Sequence, residues 1–408
     1  MNEKKKNLHI AEKLYKEKLN TSPDDVETYN NLGVILLQLG KLQEAKSFCQ
    51  KAIEINPNYA SAHNNLGAIF KKLGELKKSV SFCQKAIEIN PNYASAHNNL
   101  GTVFYELGEL QKAASSYQKA IEINPNNMSG YYNLGEIFRN LKEFQKAANC
   151  FEKVETPLGK AQFLECTYLS NGLGNYNKLL NIFAKKDPIN LRIATLAAYV
   201  SKKENIKNIY PFCKNPLDYF FSTNLKDKSE ISEGFSSKLL KVSKNLESKW
   251  RLKPTVKNGY QSSGNLFDHL GLEIAELKEK IEKQINIFRK HHNNSDDYYI
   301  SRWPSKNDLY GWYVILNKNG QVKDHIHEDG WLSGVLYLKV PKTLKKKDGS
   351  INISLQGFDY PKDKSLPNIN YSPKPFDLIF FPSSTPHYTV PFTSNEERHC
   401  ISFDVKPR

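Results

Sequence analysis

The chain has 408 residues, of which 39% are hydrophobic and 12% aromatic, enough for several folded domains with apolar cores. No run approaches the roughly 20 apolar residues of a membrane-spanning helix, and no apolar segment follows the N-terminal lysines, so we expect a cytoplasmic protein without a membrane partner. Six cysteines without CxxC spacing predict free thiols, and the formal charge of +15 comes mostly from lysines on solvated surfaces, so nucleic acid is not an expected partner.

The N-terminal part of the chain repeats itself every 34 residues. The segment NPNYASAHNNLG occurs twice word for word, and Leu-Gly pairs and prolines recur at the same interval. An Asn-Pro step ends each second helix, because proline cannot donate a helical hydrogen bond and pushes the preceding residue out of the α region. Small residues stand where the two helices of a repeat would cross closely, at Gly33, Gly67, Gly101 and Gly135. The period indicates a stack of helical hairpins.

This pattern closely resembles the tetratricopeptide repeat, which implies an α-solenoid over residues 1–155. A half-repeat from Leu8 to Asn20 precedes the full units. The units are expected near residues 26–59, 60–93, 94–127 and 128–155. Residues 156–205 keep a helical period but lose the repeat signature. We interpret them as degenerate helices that cap the array and link it to the next domain.

An asparagine recurs at one position of the first helix in every repeat, as Asn31, Asn65, Asn99 and Asn133. In a solenoid, residues at the same repeat position line up along the concave groove. An amide side chain both donates and accepts hydrogen bonds, so such a row could hold the backbone of an extended peptide. The row resembles the asparagine ladder in the repeats of O-GlcNAc transferase. The alternative is that these amides cap or bridge neighbouring helices.

After about residue 206 the composition shifts toward tyrosine, phenylalanine and proline, and from about Asp297 short β-like segments dominate. Many short strands separated by turn residues indicate a jelly roll or small barrel. The predicted strands are 309–317, 331–340, 351–355, 376–381 and 399–405. The predicted fold class is therefore an α + β multidomain chain: an α-solenoid followed by a double-stranded β-helix (jelly roll) with flanking helices, whose β core covers about 297–408.

Two histidines, His325 and His327, stand one residue apart beside an apolar run. Residues two apart in a strand project to the same side, so the two imidazoles would converge as metal ligands do. A third, His387, follows another apolar strand in FFPSSTPHYTV, and Arg398 lies eleven residues further on. His-x-His alone is a weak signal, because polar residues are common at strand edges. The conjunction of all four residues favours a metal site.

These residues carry a resemblance to the 2-oxoglutarate/iron(II)-dependent oxygenases, in particular to a family with HxH, LSG-x-x-Y and FPS-x-x-x-H patterns, over residues 206–408. The resemblance implies Fe(II) and 2-oxoglutarate as cofactors. It implies that three histidines hold the metal and that an arginine holds the distal carboxylate of 2-oxoglutarate. The implied ligands are His325, His327 and His387, the arginine is Arg398, and the candidate helpers for the carboxylate are Ser402 and Tyr337.

His327 departs from the wider superfamily, which has Asp or Glu at that position. Three neutral imidazoles leave the charge of the ion to 2-oxoglutarate, unless Glu328 or Asp329 intervenes. His327 is preferred as the third ligand, because Asp329 lies four residues from His325, roughly 13 Å at the rise of a strand. A cupin also uses HxH, but its glutamate stands a few residues beyond the second histidine, whereas Glu328 follows directly.

The sequence thus leaves two functions open. The first is a 2-oxoglutarate/Fe(II)-dependent dioxygenase that hydroxylates a protein or peptide side chain recruited by the repeat groove, whose fusion to the site raises the effective concentration. The second is a non-catalytic interaction scaffold with a degenerate oxygenase-like barrel, which the unusual His327 keeps open. Modification of nucleic acid would require binding that weakens steeply with salt, and no base-reading motif supports it.

Overall fold

The structure is a computed structural model, and the residues it describes are 3–228, 230–245, 250–251, 255–269, 271–342, 347–357 and 360–408. The chain divides into two compact units, Met1–Leu173 and Gly174–Arg408. The first is helical and the second contains antiparallel sheets with flanking helices, which confirms the predicted α + β fold class. Among the described residues, no helix is both long and apolar enough to cross a membrane.

The first unit is a succession of helical hairpins in which each helix packs on the next. Its helices are α1 (Glu3–Thr21), α2 (Val26–Gln38), α3 (Leu42–Ile55), α4 (Ala60–Lys72), α5 (Leu76–Ile89), α6 (Ala94–Glu106), α7 (Leu110–Ile123), α8 (Met128–Asn140), α9 (Phe144–Phe151) and α10 (Pro157–Asn171). The predicted half-repeat corresponds to α1, and the predicted repeats to the hairpins from α2 to α9.

Small residues set the distance between the helices of a hairpin. A Cβ atom added to Gly67 of α4 would lie 2.5 Å from Cys83 Sγ of α5, and one added to Gly101 would lie 2.8 Å from the Tyr117 ring. Because protein interiors are close-packed, a larger residue at these positions would force the helices apart. The prediction that glycines stand at the helix crossings is therefore met by these contacts.

Helices α11 (Leu173–Lys186) and α12 (Leu191–Lys203) belong to the second unit, although the sequence pattern groups them with α10 in the 156–205 region. Helix α12 contacts the β part directly. Thr195 Oγ1 donates to the backbone oxygen of Ser384 over 2.6 Å, and Tyr199 Oη donates to that of Pro361 over 2.9 Å. The remaining described α-helices are α13 (Glu233–Asn245), α14 (Leu272–His291) and α15 (Tyr298–Ser301), and 3-10 helices cover Pro216–Tyr219 and Leu266–Asp268.

The strands of the second unit form two antiparallel sheets. They are β1 (Phe221–Asn224), β2 (Trp250–Arg251), β3 (Val256–Ser262), β4 (Asn307–Val322), β5 (Leu332–Lys339), β6 (Ile351–Ser354), β7 (Asn368–Tyr371), β8 (Asp377–Pro382), β9 (His387–Thr389) and β10 (Arg398–Pro407). Over the described residues the larger sheet has the order β1-β8-β5-β10-β4-β3-β2, and the smaller one the order β7-β6-β9. Val314, Val335 and Phe381 of the larger sheet share one apolar core with Ile351 and Ile353 of the smaller.

The five predicted strands correspond to β4, β5, β6, β8 and β10. Strands β1, β2, β3, β7 and β9 are not among the predictions. Strand β7 has the sequence NINY and β9 the sequence HYT. Because neither contains an apolar run, their extended conformation depends on pairing with β6 rather than on a local pattern.

Candidate metal and cosubstrate site

His325 and His387 are brought together by their own backbones. The amide of His325 donates to the backbone oxygen of His387 over 3.2 Å, and the amide of His387 donates back over 3.1 Å. The amide of His327 donates to the backbone oxygen of Ser383 over 3.0 Å, and a turn follows. The two residues of the HxH motif therefore lie in an irregular segment between β4 and β5 and not in a regular strand. They nevertheless face the same space.

Among the described residues, the three histidines form a cluster of side chains that could hold a metal ion, with candidate ligand atoms all within 4.8 Å of one another. The Nε2 atoms of His325 and His327 are 2.9 Å apart. The ring centroid of His387 lies 4.4 Å from that of His325 and 5.0 Å from that of His327. The structure thus brings together three residues that are distant along the chain.

Hydrogen bonds at Nδ1 decide which nitrogen of each ring is free. His325 Nδ1 lies 2.7 Å from the backbone oxygen of Lys323, and His387 Nδ1 lies 3.0 Å from that of Thr385. A carbonyl oxygen only accepts, so both Nδ1 atoms must carry the proton. Nε2 of each ring then presents a lone pair to the cluster, which is the arrangement of a metal-binding imidazole.

The spacing of the two HxH rings suits a cation. Two nitrogens at about 2.1 Å from one ion and at right angles to each other would be about 3.0 Å apart, and the observed distance is 2.9 Å. Burial, followed by the neighbouring His327, lowers the pKa of His325 to about 4, and burial lowers that of His387 well below its usual range. Both rings are therefore neutral near pH 7, as metal ligands must be.

The two carboxylates beside the motif are engaged elsewhere. Glu328 Oε1 accepts from Arg192 Nη2 over 2.5 Å. The Asp329 side chain is 87% exposed and lies 3.7 Å from Lys406 Nζ. Neither belongs to the three-histidine cluster found among the described residues. Among the described residues, His327 and not either carboxylate is therefore the third side chain of the cluster.

A buried carboxylate that the sequence did not single out lies behind His327. Asp404 Oδ1 is 2.6 Å from His327 Nδ1 and accepts from Ser333 Oγ over 2.7 Å. Asp404 is on β10 and shares a face with Arg398 and Ser402. Continuing the alternation of this strand by one more step beyond Ser402 would have identified it.

Arg398, the first residue of β10, is 2% exposed. Its Nη1 donates to the backbone oxygen of Gly349 over 2.7 Å, and the guanidinium carbon lies 4.9 Å from the centroid of the Tyr337 ring. Its Nε has no hydrogen-bond partner among the described residues, and none of their carboxylates forms an ion pair with it. A buried cation without an anion is costly, so this position favours an anionic ligand.

Tyr337 and Ser402 line the same cavity of about 410 Å³ as the three histidines and Arg398. Tyr337 is fully buried, and its Oη has no partner among the described residues. Burial raises the pKa of this phenol, so that it stays protonated and can donate. The cavity thus contains the lone pairs of the imidazoles, and it also contains two hydrogen-bond donors, the guanidinium of Arg398 and the phenol of Tyr337.

The four asparagines of the repeats do not share one role. Asn65 Nδ2 donates to Asn30 Oδ1 over 2.7 Å, and Asn99 Nδ2 donates to Asn64 Oδ1 over 2.8 Å. These two side chains bridge neighbouring repeats, as the alternative interpretation held. The side chains of the other two, Asn31 and Asn133, are partly buried and make no such bridge in the described part of the array.

Comparison with known families follows this division. Residues 310–404 match a family model described as "Putative 2OG-Fe(II) oxygenase". Models of the tetratricopeptide repeat match residues 26–59, 60–93 and 129–156, and a TPR repeat model matches residues 84–108 and 101–142. The chain therefore joins tetratricopeptide repeats to a segment that matches the model of the family described as "Putative 2OG-Fe(II) oxygenase". The suspected fusion is thereby confirmed, and the match to the oxygenase family spans both the HxH motif and Arg398.

Several solved structures are similar to part of this chain. A crystal structure of MamA shares 28% identity, covering 37% of this chain and 88% of MamA, with a TM-score of 0.33. PilF of Pseudomonas aeruginosa shares 25% identity, covering 44% and 84%, with a TM-score of 0.39. YrrB, described as a TPR protein with an unusual peptide-binding site, shares 18% identity, covering 44% and 95%, with a TM-score of 0.35. No curated protein sequence matches the chain.

Proposed function

We propose that the chain is a 2-oxoglutarate- and Fe(II)-dependent dioxygenase that hydroxylates a side chain of a protein or peptide bound by its repeats. The observation that carries this proposal is the pairing, in one cavity, of converging imidazoles with a buried guanidinium that lacks an anion. The donor set fits the group, because imidazole nitrogens suit Fe(II) and a guanidinium suits a carboxylate.

His325, His327 and His387 would hold the metal through Nε2. Backbone carbonyl groups keep the first and third rings in the tautomer that leaves Nε2 free. When bound, Fe(II) together with 2-oxoglutarate and oxygen supplies the oxidising chemistry that hydroxylates a C–H bond. The protein contributes the geometry in which a substrate side chain meets that chemistry.

Arg398 would bind the distal carboxylate of 2-oxoglutarate. A guanidinium can donate two parallel hydrogen bonds to a carboxylate, and Nε of Arg398 is without a partner among the described residues. Tyr337 Oη would donate a third hydrogen bond from the same region, and Ser402 is the second candidate helper. Binding of the carboxylate would compensate the buried charge of Arg398 and give the buried hydroxyl of Tyr337 a hydrogen-bond partner.

Aromatic rings next to the histidines would orient them and limit access of water. The Phe381 ring centroid lies 4.6 Å from that of His387, and the Trp312 centroid lies 5.4 Å from that of His327. Trp312 and Tyr310 line the cavity together with Gln261. These flat apolar surfaces favour a substrate group that displaces water from the cavity. Exclusion of water would protect the reaction at the metal from side reactions.

The repeats would bind the peptide that carries the reacting side chain. The side-chain amides of Asn31 and Asn133 would be available to the peptide, because neither makes such a bridge among the described residues. The amides of Asn65 and Asn99 each use one hydrogen bond for the bridge, which leaves their other donor and acceptor positions for a peptide. Because the repeats and the site belong to one chain, a peptide bound by the repeats would then meet the site in an intramolecular step.

All six cysteines are free and buried, which is consistent with a reducing compartment such as the cytoplasm.

Succinate release from 2-oxoglutarate in the presence of Fe(II), oxygen and a peptide pool tests the proposal. The full chain should turn over and His387→Ala should fall to background. His291→Ala, which changes an exposed histidine at the end of α14, should behave as the wild type. Equal succinate release in all three proteins would refute the proposal and leave a non-catalytic interaction scaffold.

A further inference from the structure

His327 is held differently from the other two histidines of the cluster. The Nδ1 atoms of His325 and His387 face backbone oxygens, which carry only a partial charge. The Nδ1 atom of His327 faces the carboxylate of Asp404 at 2.6 Å. A hydrogen bond to an ionised acceptor is roughly twice as strong as one between neutral groups, and it transfers negative character to the ring.

Asp404 is built into the sheet for this contact. The register of β10 with β5 places Asp404 opposite Ser333, whose Oγ donates to Asp404 Oδ1 over 2.7 Å. Ser383 Oγ lies 2.8 Å from Ser333 Oγ and continues the network. A Cβ atom at Gly330 would lie 2.5 Å from Ser383 Oγ and 3.1 Å from Asp404 Cγ, so glycine leaves room for the carboxylate.

The charge of Asp404 has no lysine or arginine partner among the described residues. Its one ion-pair contact there is with His327, and the residue is 4% exposed. A buried carboxylate is costly without a positive partner. Three neutral imidazoles, in turn, leave both charges of a divalent ion uncompensated by the protein. The carboxylate and the ion would therefore stabilise each other through the His327 ring.

We propose that Asp404 is a positioning residue: it holds His327 with Nδ1 protonated and Nε2 aimed at the metal, and it gives this neutral ligand the negative character that the cluster otherwise lacks. The inference rests on the proposed function, because it concerns the same metal site. Asp404 itself does not face the ion, since the ring of His327 stands between them.

Co(II) binding to the full chain under anaerobic conditions tests the charge. Asp404→Asn keeps the size of the side chain and removes its charge, so it should weaken Co(II) binding by roughly 10- to 100-fold and shift the visible spectrum of the bound ion. Asp377→Asn is the control, because Asp377 is also a buried aspartate of this sheet and binds Tyr371 Oη and the Lys374 amide instead. It should leave affinity and spectrum unchanged.

A measurement on the wild-type protein tests the inference without any variant, so that misfolding of a variant does not affect the result. Long-range proton–nitrogen couplings of the imidazoles in the metal-free chain should show His327 protonated at Nδ1. A ring protonated at Nε2 alone would overturn the inference, as would an Asp404→Asn protein that keeps the wild-type affinity and spectrum. If the wild type binds neither Co(II) nor Fe(II), the proposed function fails and this inference fails with it; unchanged tight binding by Asp404→Asn overturns the inference alone.

Discussion

The guanidinium of Arg398 is buried without an acidic partner among the described residues, and it lies over the ring of Tyr337. A buried cation without a counter-ion favours binding of an anion, because the anion supplies the missing charge compensation. The guanidinium is already desolvated in the folded protein. An anion that binds to it therefore gains charge-assisted hydrogen bonds without a further desolvation penalty for the arginine.

Arg398→Gln should therefore weaken 2-oxoglutarate binding by roughly a hundredfold, about 3 kcal/mol, while metal binding is retained. Arg398→Lys should recover part of the loss, because it restores the charge but not the two parallel donors. Calorimetric titration of the Co(II)-loaded protein with 2-oxoglutarate measures the effect. Arg302→Gln is the control, since Arg302 also lies over a tyrosine ring but is exposed. Unchanged affinity in Arg398→Gln would contradict the assignment.

At the scale of secondary-structure elements, close helix crossings depend on pairs of small residues. The contact between Gly67 and Cys83 is one such pair, and the sequence places Gly67 at a helix crossing. Because Cys83 is buried, burial raises the pKa of its thiol to about 12, and the group is inert as a nucleophile. Its role is to fill the space that glycine leaves.

Overpacking in Gly67→Ala should cost about 1 to 3 kcal/mol, and the roughly 1 kcal/mol that alanine gains in helix propensity offsets part of it, so the repeats should be destabilised by up to about 2 kcal/mol. The double variant Gly67→Ala/Cys83→Ala should be closer to the wild type than the sum of the single variants, because it removes the Sγ atom that collides with the new methyl group. Urea unfolding followed by circular dichroism measures both. Gly174→Ala in α11, where an added Cβ meets no atom within 4 Å, should carry no overpacking cost and should be neutral or slightly stabilising. Additive effects would argue against a direct clash.

The docking of α1 on the array should depend on pH. Hydrogen bonds from Lys16 and Lys41 lower the pKa of Glu12 to about 2, from an ordinary value of 4.5. Because the pKa is lower in the folded state, the stabilisation is complete above pH 4.5 and is lost as the pH falls toward 2. Glu12→Gln should therefore loosen α1 at pH 7 by about 1 kcal/mol or less, and the difference from the wild type should vanish in acid.

Hydrogen exchange of the α1 amides, corrected for the intrinsic rate at each pH, measures this difference. The control is Glu17→Gln on the same helix, whose carboxylate is well exposed and lies 3.8 Å from Lys13 Nζ. An Asp or Glu without a strong partner should change protection little at any pH. A gap between Glu12→Gln and the wild type that persists below pH 2, where the carboxyl of Glu12 is protonated in the folded state as well, would show that packing rather than charge holds the helix.

At the scale of the whole molecule, the position of the boundary between the two units decides which fragment can fold. The composition shift near residue 206 suggests a division there, but α11 and α12 lie in the second unit. Helix α12 bonds to the backbone of Ser384, three residues before His387, through Thr195. The helix therefore supports the segment that carries one of the histidines.

A fragment of residues 174–408 should fold and bind Co(II) with the affinity of the full chain. A fragment of residues 206–408 should bind more weakly and melt at a lower temperature, because it lacks α11 and α12. Thermal unfolding and Co(II) titration of the two fragments provide the comparison, and Thr195→Val in the longer fragment removes the hydroxyl that contacts the backbone oxygens of Ser384 and Leu191. Equal melting temperatures and affinities would place the functional boundary at 206.

By itself, the sequence determined the parts of this protein that are encoded locally. The 34-residue period predicts the hairpins, apolar runs predict five of the strands, and short motifs single out His325, His387 and Arg398. Each of these signals depends on residues close together in the chain. The period of a repeat and the alternation of a strand are visible without knowledge of the fold.

The tertiary structure alone decided which distant residues meet. Asp404 lies 77 positions beyond the His327 that it contacts, because the register of β10 with β5 places it there. The bridging partner of Asn65 is Asn30, 35 positions earlier, and no local pattern identifies that pair. Strand register and helix packing are set by the balance of burial and hydrogen bonding over the whole domain, so contacts that depend on them cannot be deduced from a local pattern.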